Sequence, residues 1–349
     1  MHTISRRRLV TSLAALGTSA ILPEGGASAQ TAPARRMIDV HHHFYPPTYR
    51  DALVEFAQKN PGNGVPPFVR TWTPARTLEV MDQGGVSTAI LSIATIPANW
   101  FNGNDAEKRR WARLCNDYVA GLARDNPGRF GIFAAMPMPD VAGTLAEIAY
   151  ALDTLKADGI GFMTSFGDKW PGDPTFGPVW EELNRRKAIA YFHPASPLCC
   201  TVLADGVPPS FLEYPYDTGR AVLSLLFSGT FSKYPDVKWL FSHNGGPIPV
   251  FAGRVNSLSS FQGTAKNLPN GIDYELKRLY YETANSAYKG TMAALLDYVP
   301  ISQVMFGTDF PYVSVDENVS GIHKCGLSNA QLAAISRDNA MRLMPRWRA

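Results

Sequence analysis

Short runs rich in β-branched and aromatic residues alternate along the chain with segments that carry apolar residues at helical spacing. In one such segment Leu145, Ile148, Leu152 and Leu155 recur with the period of a helix. Apolar strands that each precede a helix are typical of parallel strands buried on both faces. The runs are Met37–Phe44, Thr88–Thr95, Phe130–Pro137, Gly159–Phe166, Ala188–Ala195, Val237–Asn244, Leu279–Ser286 and Val304–Pro311.

The number of these strand–helix units defines the fold class that we expect, which is α/β. Eight units within about 310 residues predict a (β/α)8 TIM barrel with room for inserted loops. Two long connections, Tyr45–Thr73 and Ser196–Tyr216, follow the first and fifth strands. We expect both to lie at the C-terminal face, where such barrels carry their active sites. A doubly wound parallel sheet is the alternative fold.

The first residues have the pattern of a targeting segment rather than of the fold. Ser5-Arg6-Arg7-Arg8 precedes a short apolar run, and Ala27-Ser28-Ala29 forms a small-x-small cleavage pattern before Gln30. This order is typical of a twin-arginine-type signal peptide, and the run is too short for a stable transmembrane helix. We therefore predict a signal peptide at residues 1–29, one barrel domain at residues 30–349 and a periplasmic or secreted location. A disordered basic tail is the alternative.

Composition excludes several classes of protein. A formal net charge of +3 with no basic stripe argues against nucleic-acid binding. The four cysteines favour free thiols over a disulfide framework, because Cys199 and Cys200 are adjacent whereas Cys115 and Cys325 are isolated. We expect a small-molecule substrate, no nucleic-acid partner, no membrane association after removal of the signal, and a homo-oligomer that is a dimer or a tetramer.

Histidines are concentrated at the end of the first predicted strand. The alternation of side chains along a strand places Asp39, His41 and His43 on one face and turns His42 away. Two imidazoles at positions i and i+2 can reach one metal ion, and neutral imidazole binds zinc and similar divalent ions. The motif therefore predicts that His41 and His43 are ligands and that His42 is not.

Other metal-binding side chains follow later strands. His193 ends the fifth strand, His243 ends the sixth and Asp309 ends the eighth. A single histidine after an apolar strand is more often a hydrogen-bonded core residue. The convergence of all these motifs on one end of one barrel instead predicts a metal site. Gly245-Gly246 after His243 is compatible with a phosphate-binding loop, but a close-packed turn explains the glycines equally well.

Four motifs together resemble the amidohydrolase superfamily, and more narrowly its metal-dependent decarboxylase branch. That branch includes aminocarboxymuconate-semialdehyde decarboxylase, γ-resorcylate decarboxylase and 6-methylsalicylate decarboxylase-like proteins. The resemblance extends from about Met37 to Pro345. Its motifs are Ile38-Asp39-Val40-His41-His42-His43, Phe192-His193-Pro194, Ser242-His243-Asn244-Gly245-Gly246 and Gly307-Thr308-Asp309.

The resemblance implies roles for individual residues. The metal ligands of the family fall on His41, His43, His193 and Asp309, and its strand-6 histidine, which contacts the reaction centre, falls on His243. Binuclear members of the superfamily use a carboxylated lysine at the end of strand 4. Here that position reads Gly161-Phe162-Met163-Thr164-Ser165, and Lys169 lies beyond it. We therefore expect one divalent ion, zinc in the first place and manganese as the alternative.

The resemblance also implies an activity. We expect a non-oxidative decarboxylase of a small aromatic or enoic hydroxy acid that resembles salicylate, in which Asp309 or His243 delivers a proton to the carbon that bears the carboxylate. A metal-dependent hydrolase of a lactone, ester or amide, with Asp309 as general base, is the alternative. A metal-binding protein without catalysis is the second alternative.

Several residues outside these motifs are candidates for contacts with the substrate. Arg70 and Trp72 follow the first strand and can pair with a carboxylate and stack on a ring, although surface packing explains them equally well. Four aromatic residues are candidates for an aromatic-lined pocket, with a place in the loop core as the alternative: Phe166, Trp170, Phe310 and Tyr312.

Overall fold

One parallel sheet organises the residues that the structure, a computed structural model, describes: 37–59, 65–94, 104–197, 207–260 and 263–348. Each strand pairs with the next one in the sequence, so the strand order follows the chain without a crossover. This order confirms the (β/α)8 barrel and excludes the doubly wound alternative. The strands are β1 Met37–His43, β2 Val86–Ser92, β3 Phe130–Ala135, β4 Gly159–Met163, β5 Ile189–His193, β6 Lys238–Phe241, β7 Tyr280–Glu282 and β8 Val304–Met305.

The barrel closes through backbone hydrogen bonds between β1 and the residues that follow β8. The Val40 N–H donates to the Phe306 carbonyl at 2.9 Å, and the His43 N–H donates to the Phe310 carbonyl at 2.8 Å. In the opposite direction the Asp309 N–H donates to the His41 carbonyl at 2.8 Å. These bonds hold the segment after the short β8 beside the end of β1.

The helices surround the sheet with their apolar faces turned inward. In the longest described helix Trp111, Cys115 and Val119 are buried at a spacing of four residues, and the Asn104 side chain accepts from the Glu107 N–H at its start. Helices of eight or more residues are α1 Pro47–Lys59, α2 Pro74–Gln83, α3 Asp105–Asp125, α4 Val141–Ala149, α5 Gly177–Arg186, α6 Glu213–Phe227, α7 Ile248–Asn256, α8 Lys289–Tyr298 and α9 Val315–His323. Shorter helices are Pro67–Arg70, Thr230–Lys233, Thr264–Asn267, Ile272–Lys277, Asn329–Ala333 and Asn339–Leu343.

A small hydrophobic cluster fills the barrel itself. It joins buried side chains of six strands with Ala340 and Met344 near the C-terminus. Side chains from strands all around a closed sheet meet only inside the barrel, so this cluster is the interior core. Its strand members are Ile38, Val40, Ile90, Phe133, Ile189, Tyr191, Leu240 and Met305.

Two sequence predictions lie outside the described residues: the signal peptide at residues 1–29 and the adjacent thiols Cys199-Cys200. Cys115 and Cys325 are free thiols, and burial raises the pKa of both. None of the described helices is long and apolar enough to cross a membrane.

Candidate metal centre

The four ligands predicted from the sequence lie together where β1 and β5 end and where the chain leaves β8. One ligand atom from each of His41, His43, His193 and Asp309 lies within 4.8 Å of those of the other three, and all four residues are buried. The Nε2 atoms of His41 and His43 are 3.0 Å apart. Asp309 Oδ1 is 3.0 Å from His43 Nε2 and 3.3 Å from His41 Nε2.

Hydrogen bonds at the other ring nitrogen determine which imidazole atoms can bind a metal. His43 Nδ1 is 3.1 Å from the Ser92 carbonyl oxygen, and His193 Nδ1 is 2.9 Å from the Pro194 carbonyl oxygen. Because a carbonyl oxygen can only accept, each Nδ1 carries the proton. In a neutral imidazole the Nε2 lone pair is then available to a metal ion.

His41 is held in the same way, but by a carboxylate that the sequence analysis did not identify. Its Nδ1 is 2.7 Å from Glu282 Oε1, so its Nε2 also lacks the proton in the neutral ring. Three acceptor atoms, two imidazole nitrogens and the Asp309 oxygen, therefore converge within 3.3 Å. Such atoms repel one another unless a proton or a metal ion lies among them. This donor set fits a divalent metal ion.

The same crowding shifts the pKa values of the buried groups. Burial alone would lower the pKa of His41, but the carboxylates of Glu282 and Asp309 outweigh it and raise that pKa to about 10. Burial and the neighbouring imidazoles lower the pKa of His193 well below its usual range. Burial acts to raise the pKa of Asp309, but His41 and His43 lie close enough to hold it well below its usual range. Neutral His193 and ionised Asp309 are the forms that bind a metal.

The His42 side chain is turned away from the four ligands and pairs with Asp39. His42 Nδ1 is 2.8 Å from Asp39 Oδ2, and the Thr308 hydroxyl donates to the same carboxylate oxygen at 2.5 Å. The expected shared face of Asp39 and His41 is therefore wrong. The register between β1 and β2 shifts between Asp39 and His42, and strict alternation of side chains fails at such an irregularity.

His243 lies beside the ligand group and on the wall of the adjoining cavity. Its ring centroid is 5.0 Å from that of His41. His243 Nδ1 is 2.7 Å from the Ala284 carbonyl oxygen, which leaves Nε2 as the nitrogen that can take up or release a proton. Its backbone is left-handed, with φ of 53°. This position agrees with the contact at the reaction centre that the resemblance implied; its role in catalysis stays a prediction.

The glycines after His243 are required by close packing. A Cβ atom on Gly245 would lie 2.5 Å from the Tyr281 ring, and one on Gly246 would overlap the Pro215 carbonyl. Both glycines also have positive φ, at 74° and 60°. The turn therefore needs glycine for space and conformation, which favours the close-packed turn over a phosphate-binding loop.

A cavity of about 840 Å³ opens from the metal site, and its wall is mostly apolar and phenolic. The Tyr45 hydroxyl donates to the Tyr312 hydroxyl at 2.7 Å, and the Tyr312 ring contacts the His43 ring edge-to-face. None of the described lining residues is lysine or arginine. The wall includes Tyr45, Leu53, Val65, Phe68, Val69, His193, Tyr214, His243, Tyr288, Asp309 and Tyr312.

The loop candidates from the sequence divide between cavity and core. Trp72 is buried beneath Tyr45 at a ring distance of 6.4 Å, and Arg70 is exposed; neither is among the described lining residues. Of the four aromatic candidates, Tyr312 lines the cavity. The other three pack elsewhere: Phe166 against Phe176, Phe310 against His42, and Trp170 as a hydrogen-bond donor to Asp217.

The end of β4 contributes hydroxyl groups rather than a lysine. The Thr164 hydroxyl donates to Asp217 Oδ2 at 2.5 Å and accepts from the Ala195 N–H. The Lys169 ammonium donates to the Thr175 hydroxyl at 3.0 Å and pairs with Asp173. Lys169 is therefore engaged at the surface, away from the four ligands.

Comparison with known proteins identifies the family of this chain. A sequence profile of the amidohydrolase family matches residues 38–346. The decarboxylase macB of Penicillium terrestre is 34% identical, over 89% of this chain and 95% of the relative. The 6-methylsalicylic acid decarboxylase of Penicillium expansum is 35% identical, over 78% of this chain and 84% of the relative.

A solved structure has the same fold. The dihydroxybenzoic acid decarboxylase of a Polaromonas species, which was crystallised with manganese and the inhibitor 2-nitroresorcinol, superposes with a TM-score of 0.76. It is 23% identical and covers 90% of this chain and 98% of its own. The match to the family profile covers most of the chain, so the chain belongs to the amidohydrolase family.

Proposed function

We propose that this amidohydrolase-family protein is a metal-dependent carboxy-lyase that removes CO2 from a small aromatic acid with a hydroxyl group beside the carboxylate. The observation that carries the proposal is the convergence of three histidine side chains and the Asp309 carboxylate beside a cavity large enough for a benzoate, whose wall includes His193 and Asp309. The decarboxylase relatives support the reaction type.

His41, His43 and His193 would hold the metal through Nε2, and Asp309 would hold it through a carboxylate oxygen. When bound, the divalent ion supplies positive charge and open positions for the carboxylate and hydroxyl oxygens of a substrate. Tyr45, Tyr312 and the apolar wall orient the ring and exclude water from around it, which strengthens the electrostatic interactions at the reacting carbon.

Proton transfer is assigned to Asp309 or His243, which both lie on the cavity wall. Asp309 is ionised in the free site, so it would have to take up a proton with the substrate before it delivers one. A proton delivered to the ring carbon that bears the carboxylate forms a C–H bond and interrupts aromaticity. The bond to the carboxylate carbon then breaks, its electron pair returns to the ring, and CO2 leaves. The reaction consumes one proton and needs no redox partner. A positioned acid contributes about 10²–10⁴-fold to such a step.

The wall of the cavity favours a substrate with a single carboxylate. The described lining residues include no lysine or arginine, and the internal segments 60–64, 95–103 and 198–206 contain none in their sequence. A second carboxylate on the ring would lose its hydration without gaining a cationic partner, which costs several kcal/mol, or about three orders of magnitude in binding. An alkyl-substituted salicylate meets no such penalty.

Zinc is our proposal for the metal, with manganese as the alternative. Three neutral imidazoles and one carboxylate match the ligands that zinc prefers, whereas manganese favours oxygen ligands. The Polaromonas neighbour, however, contains manganese. Metal analysis of the purified protein, followed by reconstitution of the chelated protein with each ion separately, tests the choice. Higher turnover with manganese would overturn the zinc assignment.

The experiment for the reaction itself is a CO2-release assay with 6-methylsalicylate, run beside a ring analogue with a second carboxylate. We expect CO2 and the corresponding phenol from the monoacid, and a kcat/KM about 10³-fold lower for the diacid. The same assay in oxygen-18-labelled water, with a lactone and an ester of the acid as further substrates, tests the hydrolase alternative. Label in the product without CO2 release would end the decarboxylase proposal.

Export of the mature chain and its assembly are separate proposals. The triple arginine at Arg6-Arg7-Arg8 and the Ala27-Ser28-Ala29 pattern support cleavage after residue 29 by a twin-arginine route. N-terminal sequencing of the periplasmic or secreted protein should begin at Gln30. Retention of residues 1–29 in the native host would contradict export. Light scattering of the mature protein tests the dimer or tetramer that we expect.

A further inference from the structure

Glu282 at the end of β7 connects the metal ligand His41 to the turn that carries His243. We propose that Glu282 is a positioning residue, which selects the Nδ1–H form of His41 and holds the His243 turn in place. The inference rests on the metal site of the proposed function. It adds a residue that touches neither the substrate nor the metal and acts through two residues that do.

The contacts of Glu282 are short and use both carboxylate oxygens. Oε1 is 2.7 Å from His41 Nδ1 and accepts the His243 backbone N–H at 2.8 Å, while Oε2 accepts the Ala284 N–H at 2.6 Å. The side chain is fully buried. A buried carboxylate that accepts three hydrogen bonds has a single orientation, because any rotation leaves donors unsatisfied.

Gly307 on the segment after β8 leaves space for this carboxylate. A Cβ atom on Gly307 would overlap Glu282 Oε2 and lie 2.9 Å from the His41 Cβ. The φ of Gly307 is not positive, so backbone conformation does not demand glycine here. Glycine is therefore needed here to leave room for Glu282 and His41. Within the motif Gly307-Thr308-Asp309, Asp309 is the ligand and Gly307 packs against Glu282 of β7.

The chemistry of metal binding explains what the carboxylate does. A histidine ligand whose other nitrogen donates to a carboxylate has a defined tautomer and a fixed ring plane, and is a stronger base toward the metal. Loss of such a partner typically costs about 10–100-fold in metal affinity. Because the same oxygen accepts the His243 N–H, its loss also releases a turn whose φ is 53°.

The test is a competition titration of Zn²⁺ against a colorimetric chelator, with the wild-type protein and E282Q. Glutamine has the same shape as glutamate, but its NH2 group replaces one carboxylate oxygen. That NH2 group is a donor, so at least one of the three donors around Glu282 loses its acceptor. We expect E282Q to bind Zn²⁺ about 10–100-fold more weakly. Equal affinity of E282Q and the wild type would overturn the inference. Failure of the wild type to bind Zn²⁺ would instead overturn the metal site itself.

Two further variants separate positioning from general damage. Glu275→Gln removes another buried carboxylate, which pairs with Arg278 at 2.6 Å, and should leave Zn²⁺ affinity unchanged. Gly307→Ala pushes the Glu282 carboxylate away and also crowds the Cβ of His41, so it should weaken Zn²⁺ binding at least as much as E282Q does. Wild-type affinity in Gly307→Ala would contradict the inference.

Nuclear magnetic resonance of the zinc-loaded wild type provides a readout that does not depend on a variant. With nitrogen-15-labelled histidine, we expect His41 to have a protonated Nδ1, with a proton signal shifted downfield by the short hydrogen bond to the carboxylate. Its Nε2 should show the shift of a metal-bound nitrogen. A proton on Nε2 of His41, with Nδ1 toward the metal, would overturn the proposal whatever the variants do.

Discussion

Two regions of the barrel supply their functional side chains in different ways. In the first region, strands β1 and β5, the residues His41, His43 and His193 lie within strands of seven and five residues. In the second region, the strands β6, β7 and β8 have only four, three and two residues. Residues that follow these three strands have a left-handed backbone conformation, with φ of 53° at His243, 47° at Asn285 and 63° at Asp309.

This difference separates the three histidine ligands from the two groups that we expect to move protons: His243 and Asp309, the latter of which is also a ligand. Among the described non-glycine residues with positive φ, most follow the short strands, and such a conformation costs about 1–3 kcal/mol each. Strain of this size persists only where neighbouring bonds impose it, as Glu282 does at His243 and Asn318 does at Asn285. The three histidine ligands have no left-handed backbone strain, whereas the second region holds Asp309 and His243 in a strained backbone conformation.

Removal of a histidine ligand from the first region should have the largest effect. In His193→Ala the site loses a neutral imidazole, and we expect the metal content to fall and turnover to drop to that of buffer, because the substrate loses its binding charge. Metal analysis and the CO2-release assay measure both. His323→Ala, which removes an exposed histidine, is the matched control. Full metal content in the His193→Ala protein would contradict the assignment of metal ligands to the first region.

A change at Asp309 tests whether the second region acts in the chemical step. In Asp309→Asn the side chain keeps its shape but cannot transfer a proton. We expect kcat to fall about 10²–10⁴-fold while the KM changes little, provided that metal analysis shows the ion still bound. Loss of substrate binding with an unchanged kcat would instead make Asp309 a binding residue.

His42→Ala tests the register of β1, and its effect should fall on stability rather than on the metal. Asp39 loses its 2.8 Å partner and retains its bonds to Thr308, so we expect the free energy of unfolding to fall by about 1–3 kcal/mol. Chemical denaturation and metal analysis measure the two effects. His43→Ala is the paired variant and should lose metal. The reverse pattern would place His42 in the site.

The smallest expected effects come from replacing residues with a left-handed backbone conformation by glycine. Lys187 ends the helix Gly177–Arg186 with φ of 52°, far from the site, and Lys187→Gly should stabilise the fold by about 0.5–1 kcal/mol with unchanged activity.

Asn244→Gly relieves a φ of 57° beside His243 but loosens that turn. We expect its kcat to fall. Full activity in Asn244→Gly would show that strain at β6 has no functional role.

The sequence predicted the metal-binding residues of the site. The motif around His41 and His43, the histidine that ends β5 and the aspartate after β8 all lie where the barrel topology requires them to meet. Glu282 carried a weaker signal, a glutamate after two aromatic residues in a short strand. A charge at the end of an apolar strand could have identified it as a buried, partnered group.

The sequence by itself determined the eightfold alternation, the face of the barrel that carries the site and the metal-binding residue types, because these depend on periodicity and on chain order. Only the tertiary structure decided that Asp39 pairs with His42, that Trp72 and Phe166 pack in the core, and that Glu282 holds His41. Each of these depends on a bulge, a turn or a contact between distant segments. Local patterns do not encode such features, because their energy comes from neighbours that are remote in the chain.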